Sequence, residues 1–268
     1  MRIQILHPWD VTPAEAREIQ NRLAPLIIKE GAPEHVRLVA AADISVQREE
    51  RFARGAVVVL SYPELELVEQ AVVEGEPSFP YVPGLLTFRE APILLRAFGQ
   101  LRCQPDLLLV DGQGYAHPRR FGIACHLGLL LDLTTVGCAK SRLCGRYEPP
   151  GNSAGSRSPL LAGEEVIGSV LRTRDNVTPL FISVGHRISL DEAAEWVLRC
   201  CRGRRLPEPS RAAHTAAGGH LDSWVGSPQK TAGRESGTIG FEVNDAGNER
   251  AARRPGTAHQ PHIGASLT

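Results

Sequence analysis

From residue 1 to about 213 apolar runs and polar breaks alternate without interruption. Thr12-Pro-Ala-Glu15 is a capping pattern with proline in the first turn, so it opens a helix through AEAREIQNRL that Pro25 should bend or end. VRLVAAADISV reads as a buried strand ending in Asp43, and RGAVVVLSY and LELVEQAVVEGE as two more strands joined by a tight proline-containing turn. TFREAPILLRAFGQL has helical periodicity; PDLLLVDGQG is an apolar strand running into a glycine-rich turn. FGIACHLGLLLDL reads as a helix, TTVGCAKSRL, EEVIGSVLRT and TPLFISVGHRI as strands, and LDEAAEWVLRCC as a closing helix. Three consecutive strands followed by alternating helices and strands predict an α/β fold, a mixed sheet with helices on both faces. A ribonuclease-H-like domain uses that order, as do other α/β folds.

After Leu206 the pattern changes to PEPSRAAHTAAGGHLDSWVGSPQK and onward, rich in Gly, Ala, Ser, Thr and Arg. Such composition cannot bury enough surface to offset ordering entropy, which divides the chain into a folded domain at 1–214 and a low-complexity, disordered tail at 215–268. The 268 residues are 42% hydrophobic, enough for one sizeable core. Thirty basic residues balance thirty acidic ones, a sum that neither announces nor excludes a nucleic-acid partner, since local clusters set the field at a groove. Six cysteines lack any CxxC pair and sit mostly in apolar runs, as reduced core thiols do. No basic region precedes a long apolar stretch at the start, and no run reaches the ~18 apolar residues of a membrane span. The expectation is a cytoplasmic protein, a monomer, with no membrane partner.

Chemistry concentrates at a few positions. Asp43 lies inside an apolar strand, where a carboxylate is costly without a partner, although it can also cap a neighbouring turn. Asp111 follows five apolar residues and precedes Gly-Gln-Gly, at the strand end where open sheets bind ligands; a simple turn aspartate is the alternative. Glu90 stands early in its helix, where a glutamate often does no more than favour the helix dipole. Together the three can converge on one sheet edge as oxygen ligands suited to Mg2+, whereas the Cys/His clustering that zinc needs is absent. Lys140, at a predicted strand end, can orient water or hold a phosphate, or else reach to solvent. Tyr81 between two prolines is a stiffly presented ring able to wedge into a base stack, or a loop tyrosine packing on its own surface. His117, Arg119 and Arg120 can contact phosphate or form a solvated loop.

The strings AADISV, FPYVPGLLTFREAP, LLLVDGQGYAHPRRFGIACHLG, TVGCAKSRLCG and PLFISVGHRISL resemble endonuclease V, the deoxyinosine 3′-endonuclease family, in order and spacing over roughly residues 1–214. PYVPG combined with DGQGxxHPRxxGxAxHLG is the specific part. The resemblance implies a ribonuclease-H-like fold, Mg2+ with Mn2+ as substitute, and DNA containing deaminated purines, chiefly hypoxanthine, as partner. It implies hydrolysis of the second phosphodiester bond 3′ to the lesion. By motif, Asp43, Glu90 and Asp111 look like the metal ligands and Lys140 like the catalytic lysine. His214 resembles a late site position, and Tyr81 the strand-separating wedge. Gly84, Leu86, Gly112, Gly122, Ile123 and Leu143 fall where the family forms its pocket for the extruded base. The tail beyond residue 214 has no counterpart in that pattern. An inosine-directed endoribonuclease uses the same chemistry, and a non-catalytic lesion-binding module is the reading from a different class. A pure binder has no use for three clustered like charges.

Overall fold

The computed structural model describes residues 1–46 and 52–219. Helix α1 (Pro13–Leu23) begins under the expected capping box, in which Thr12 accepts from the Glu15 amide and Glu15 caps Thr12 in return. It ends one residue before a single 3-10 turn at Ala24–Leu26, as Pro25 requires. The strands are β1 (Leu38–Val46), β2 (Ala53–Ser61), β3 (Leu67–Gly75), β4 (Leu107–Val110), β5 (Thr135–Ala139), β6 (Arg157–Ala162), β7 (Glu165–Leu171) and β8 (Leu180–His186). The remaining helices are α2 (Leu86–Gln100), α3 (Ile123–Leu131), α4 (Leu190–Arg199) and α5 (Glu208–Ala217).

The strands form one mixed eight-stranded sheet in the order β3-β2-β1-β4-β5-β8-β7-β6. β1 to β3 are an antiparallel meander, β4 and β5 run parallel to β1, and β8, β7 and β6 return antiparallel. The two-residue period of a strand sorts its side chains between two cores. Val39 and Ala41 of β1 and Leu107 and Leu109 of β4 share one with residues of α1, α4 and α5. Ala40, Ala42, Leu108 and Val110 share the other with residues of α2 and α3. Helices therefore cover both faces, as the pattern predicts.

Four expectations need correction. β1 does not stop at Asp43 but continues to Val46. The strand read from TTVGCAKSRL is short, ending at Ala139, so Lys140 lies just beyond it. RSPLLA forms β6, which the pattern did not reveal. The chain after Leu206 is not structureless. α5 packs on β1 and β2 with Ala212, Ala213, Ala216 and Ala217 buried, so the ordered part passes residue 214. The rest of the expected tail, from residue 220, lies outside the described residues. All six cysteines are unpaired. Among the described residues no helix is long and apolar enough to cross a membrane.

Candidate active site

Ala42 of β1 pairs in parallel register with Val110 of β4, so Asp43 and Asp111 each follow the last paired residue of adjacent strands. Both continue the Val39, Ala41 and Leu107, Leu109 series, which puts their side chains on the same face of the sheet. That is the face α5 covers. His214 of α5 stands over Asp43, its Nδ1 2.7 Å from Oδ2, while the other oxygen of Asp43 accepts the Ile44 amide at 2.8 Å. With the carboxylate as acceptor, Nδ1 is the donor, and Nε2 is the ring nitrogen not engaged by Asp43 on a largely exposed side chain.

Lys140 pairs with Asp111 through Oδ2. Burial, together with the charge of Asp43, raises the Asp111 carboxyl above its ordinary value against the opposing pull of Lys140. Glu90 comes from α2, on the second turn and not the first, because the helix begins at Leu86. Its carboxyl is pushed up to about 8 by burial and by the charges of Asp43 and Asp111, with only Arg89 pulling the other way. Three carboxyl groups from two strands and one helix thus sense one another. Asp111 and Asp43 each lend an oxygen to a side-chain cation or imidazole. Among the described residues no three His, Cys, Asp or Glu side chains are drawn into a closed ligand set. The donors are all hard oxygens, and their mutual repulsion is the electrostatic condition a divalent cation relieves, so these residues fit such an ion.

The other named positions lie on loops around this group. Tyr81 is 73% exposed between Pro80 and Pro83, as a presented ring must be. Gly84 follows with φ +77°, a conformation glycine adopts without penalty, and Leu86 opens α2 half-buried. Gly112 sits against Ile123; a side chain there would meet its Cγ2 at 2.5 Å. Gly122 caps α3, and a Cβ on it would lie 2.2 Å from the Gln113 carbonyl. Leu143 is partly exposed beyond Lys140.

His117 is a correction. It is 3% exposed and both ring nitrogens are engaged within the chain: Nε2 on the Gly84 carbonyl at 3.0 Å and Nδ1 with the Arg119 amide at 3.2 Å. Burial and the neighbouring Arg119 and Arg120 lower its pKa to about 4, so the ring is neutral and fixes a loop instead of meeting phosphate. The arginines beside it are also occupied, Arg119 on Gly84 and Gln20, Arg120 on Glu165. Two residues that sequence reasoning passed over fix Lys140. Gln113 Nε2 donates to the Ser141 carbonyl at 2.8 Å, and Arg205 Nη2 donates to the Lys140 carbonyl at 2.9 Å. Gln113 stands inside DGQG and could have been found there, whereas nothing local marks Arg205.

Residues 21–215 match the family described as Endonuclease V. An endonuclease V from Gloeobacter violaceus is 55% identical over 212 residues, 78% of this chain and 86% of the relative. The crystal structure of the Streptomyces avermitilis endonuclease V superposes with a TM-score of 0.76 at 42% identity, over 83% of this chain and 99% of that one. The Ciona intestinalis endonuclease V, in complex with a 24mer DNA containing an inosine followed by a ribo-adenosine, aligns at TM-score 0.69 and 29% identity, over 78% and 97% of the two chains. This chain belongs to the endonuclease V family.

Proposed function

We propose that the protein is an endonuclease that recognises deaminated purine, hypoxanthine above all, in DNA and hydrolyses the second phosphodiester bond on its 3′ side. The observation that carries the reading is the placement of Asp43 and Asp111 on one face of adjacent strands, each just past the last β1–β4 pair, with the Glu90 carboxyl raised to about 8 by burial and by their charges. Mg2+, or Mn2+ in its place, would be held by Asp43, Glu90 and Asp111, and would supply charge neutralisation at phosphate and acidification of water. The chain's own residues do the rest. Lys140, anchored beside Asp111, holds a fixed positive charge where a phosphate oxygen would lie. His214, oriented by Asp43 through Nδ1, offers Nε2 to move a proton at the scissile group. Tyr81, exposed between its prolines, would fill the space an extruded base leaves, and Gly84, Gly112 and Gly122, whose backbones are closely packed, would border the place that receives it.

The inosine-containing complex of the Ciona relative supports the choice of lesion, and the ribo-adenosine beside that inosine keeps an RNA substrate in view. The test incubates matched DNA and RNA oligonucleotides, each with one inosine, with and without Mg2+. The reading expects a single cut one nucleotide beyond the inosine's own 3′ bond, abolished by chelator. Cutting of the unmodified control at the same rate would refute it, and a product from RNA alone would move the substrate to inosine-containing RNA.

A further inference from the structure

Gln20 is the anomaly of α1. The helix turns Ala16, Ile19 and Leu23 into the core, and Gln20 shares that face at 1% exposure. A buried amide is costly unless all its hydrogen-bonding groups are used. Here they are. Nε2 donates to the Gly84 carbonyl at 3.0 Å and to the Phe121 carbonyl at 3.0 Å, and Oε1 accepts from Arg119 Nε at 2.6 Å. The Gly84 carbonyl is shared with His117 Nε2 and with Arg119 Nη2 at 2.7 Å. One carboxamide thus joins two loops. Gly84 lies three residues after Tyr81, and Phe121 immediately precedes Gly122 and Ile123, which begin α3.

We infer that Gln20 is a positioning residue for lesion recognition: by holding the Gly84 and Phe121 carbonyls on one amide, it sets the gap between the Tyr81 loop and the α3 N-terminus. The inference rests on the reading of those two loops as wedge and base slot. An apolar side chain would fill the same volume on α1, so the amide's distinctive contribution is the fixed separation of two backbones. Arg119 makes the tie rigid, because its guanidinium bridges the same amide and the same carbonyl in a planar fork.

The test compares wild type, Gln20→Met, Tyr81→Ala and the double variant, using single-turnover cutting of duplexes that carry inosine or guanosine at one position. Gln20→Met should lower the inosine-to-guanosine preference about 10-fold or more. It should raise the half-saturating enzyme concentration by a larger factor than it lowers the saturated rate. Its effect should also be coupled to Tyr81. Once the loop is released, Tyr81→Ala should cost less than a third of the factor it costs in wild type, because neighbours in one network are not additive. Additive effects of the two substitutions, or equal weakening on both duplexes, would reduce Gln20 to a stability residue and overturn the inference. Should Gln20→Met fail to fold, Gln20→Asn, which keeps the amide one methylene short, is read by the same cycle. Wild type that leaves inosine strands intact overturns the underlying function, whereas wild type that cuts beside a Gln20 variant of unchanged preference overturns this role alone.

Discussion

The two polar regions of this protein are built on opposite accounts of charge. Where β1, β4 and α2 meet, Asp43, Asp111 and Glu90 repel one another, and burial together with the charges of the two aspartates holds Glu90 mostly protonated near neutral pH. Around Gly84, by contrast, Gln20, His117 and Arg119 satisfy one another and the backbone, and His117 is neutral by design of its surroundings. The first arrangement leaves like charges opposed, as the proposed divalent cation would require; the second is bonded throughout. A buried polar group that is fully bonded specifies geometry, and one that is left in conflict specifies a ligand.

The sharpest way to break the contrast is at the carboxylates. Asp111→Asn removes a charge that pairs with Lys140 and that the proposed cation would need, and should lower cutting by about 10³-fold or more, the scale of several kcal/mol that a metal's charge contributes. Affinity for an inosine duplex should hold or increase, since repulsion of phosphate falls. Cutting at the wild-type rate in Mg2+ would end the metal reading. Next in size is Tyr81→Ala. Aromatic–base stacking is worth ~1–3 kcal/mol, so binding to duplex inosine should weaken roughly 10- to 100-fold, with a smaller loss on single strands where the base is already unstacked. Tyr81→Phe should stay near wild type. Equal losses on single and double strands would make Tyr81 a packing residue.

What could be read from the chain beforehand divides along similar physical lines. Asp43 and Asp111 were legible because each interrupts or ends an apolar run, and a period of two then put them on one face. β6 was not, because Arg157, Ser158 and Pro159 open it; proline is tolerated there since β6 is an edge strand and need not donate on its outer side. α5 was missed because large apolar residues were the guide. Its buried face is made of alanines at 212, 213, 216 and 217, whose small size lets the helix approach β1 and β2 closely enough to bring His214 to Asp43. A chain ended after Leu206 should accordingly lose both that helix and cutting. His117 read as exposed because burial is a property of the fold, and no neighbour in sequence announced the Gly84 carbonyl that holds it.

The contrast also predicts opposite responses to pH. Glu90 has a folded pKa near 8 against 4.5 when free, so the folded state binds its proton more tightly. Stability from this group is fully present below about 4.5 and declines as pH rises toward 8, because the native state then holds protons the unfolded chain has released. In chelator at pH 8, Glu90→Gln should therefore be more stable than wild type by about 2 kcal/mol, a melting temperature roughly 5 °C higher, and Mg2+ should shrink the difference. A variant that melts below wild type under those conditions would show that the Glu90 carboxylate is satisfied within the chain.

His117 runs the other way with a smaller effect. Its folded pKa is lowered to about 4 from 6.5 by burial and by Arg119 and Arg120, so the unfolded chain takes up a proton that the folded one refuses. Stability from the neutral ring is intact above 6.5 and is lost as pH falls toward 4. Other histidines, His7, His126 and His186, are lowered too, so acid melting of wild type alone does not isolate the site. The difference between wild type and His117→Gln does. Glutamine can still donate to the Gly84 carbonyl but takes up no proton, so it should cost about 1 kcal/mol at pH 7.5 through imperfect packing and bonding. That cost should vanish or reverse by pH 5, as wild type pays for keeping an imidazole neutral. Parallel melting curves for the two proteins from pH 7.5 to 5 would mean that His117 is free to protonate where it stands, and would open the Gly84 hub to the charged, substrate-facing part that its burial argues against.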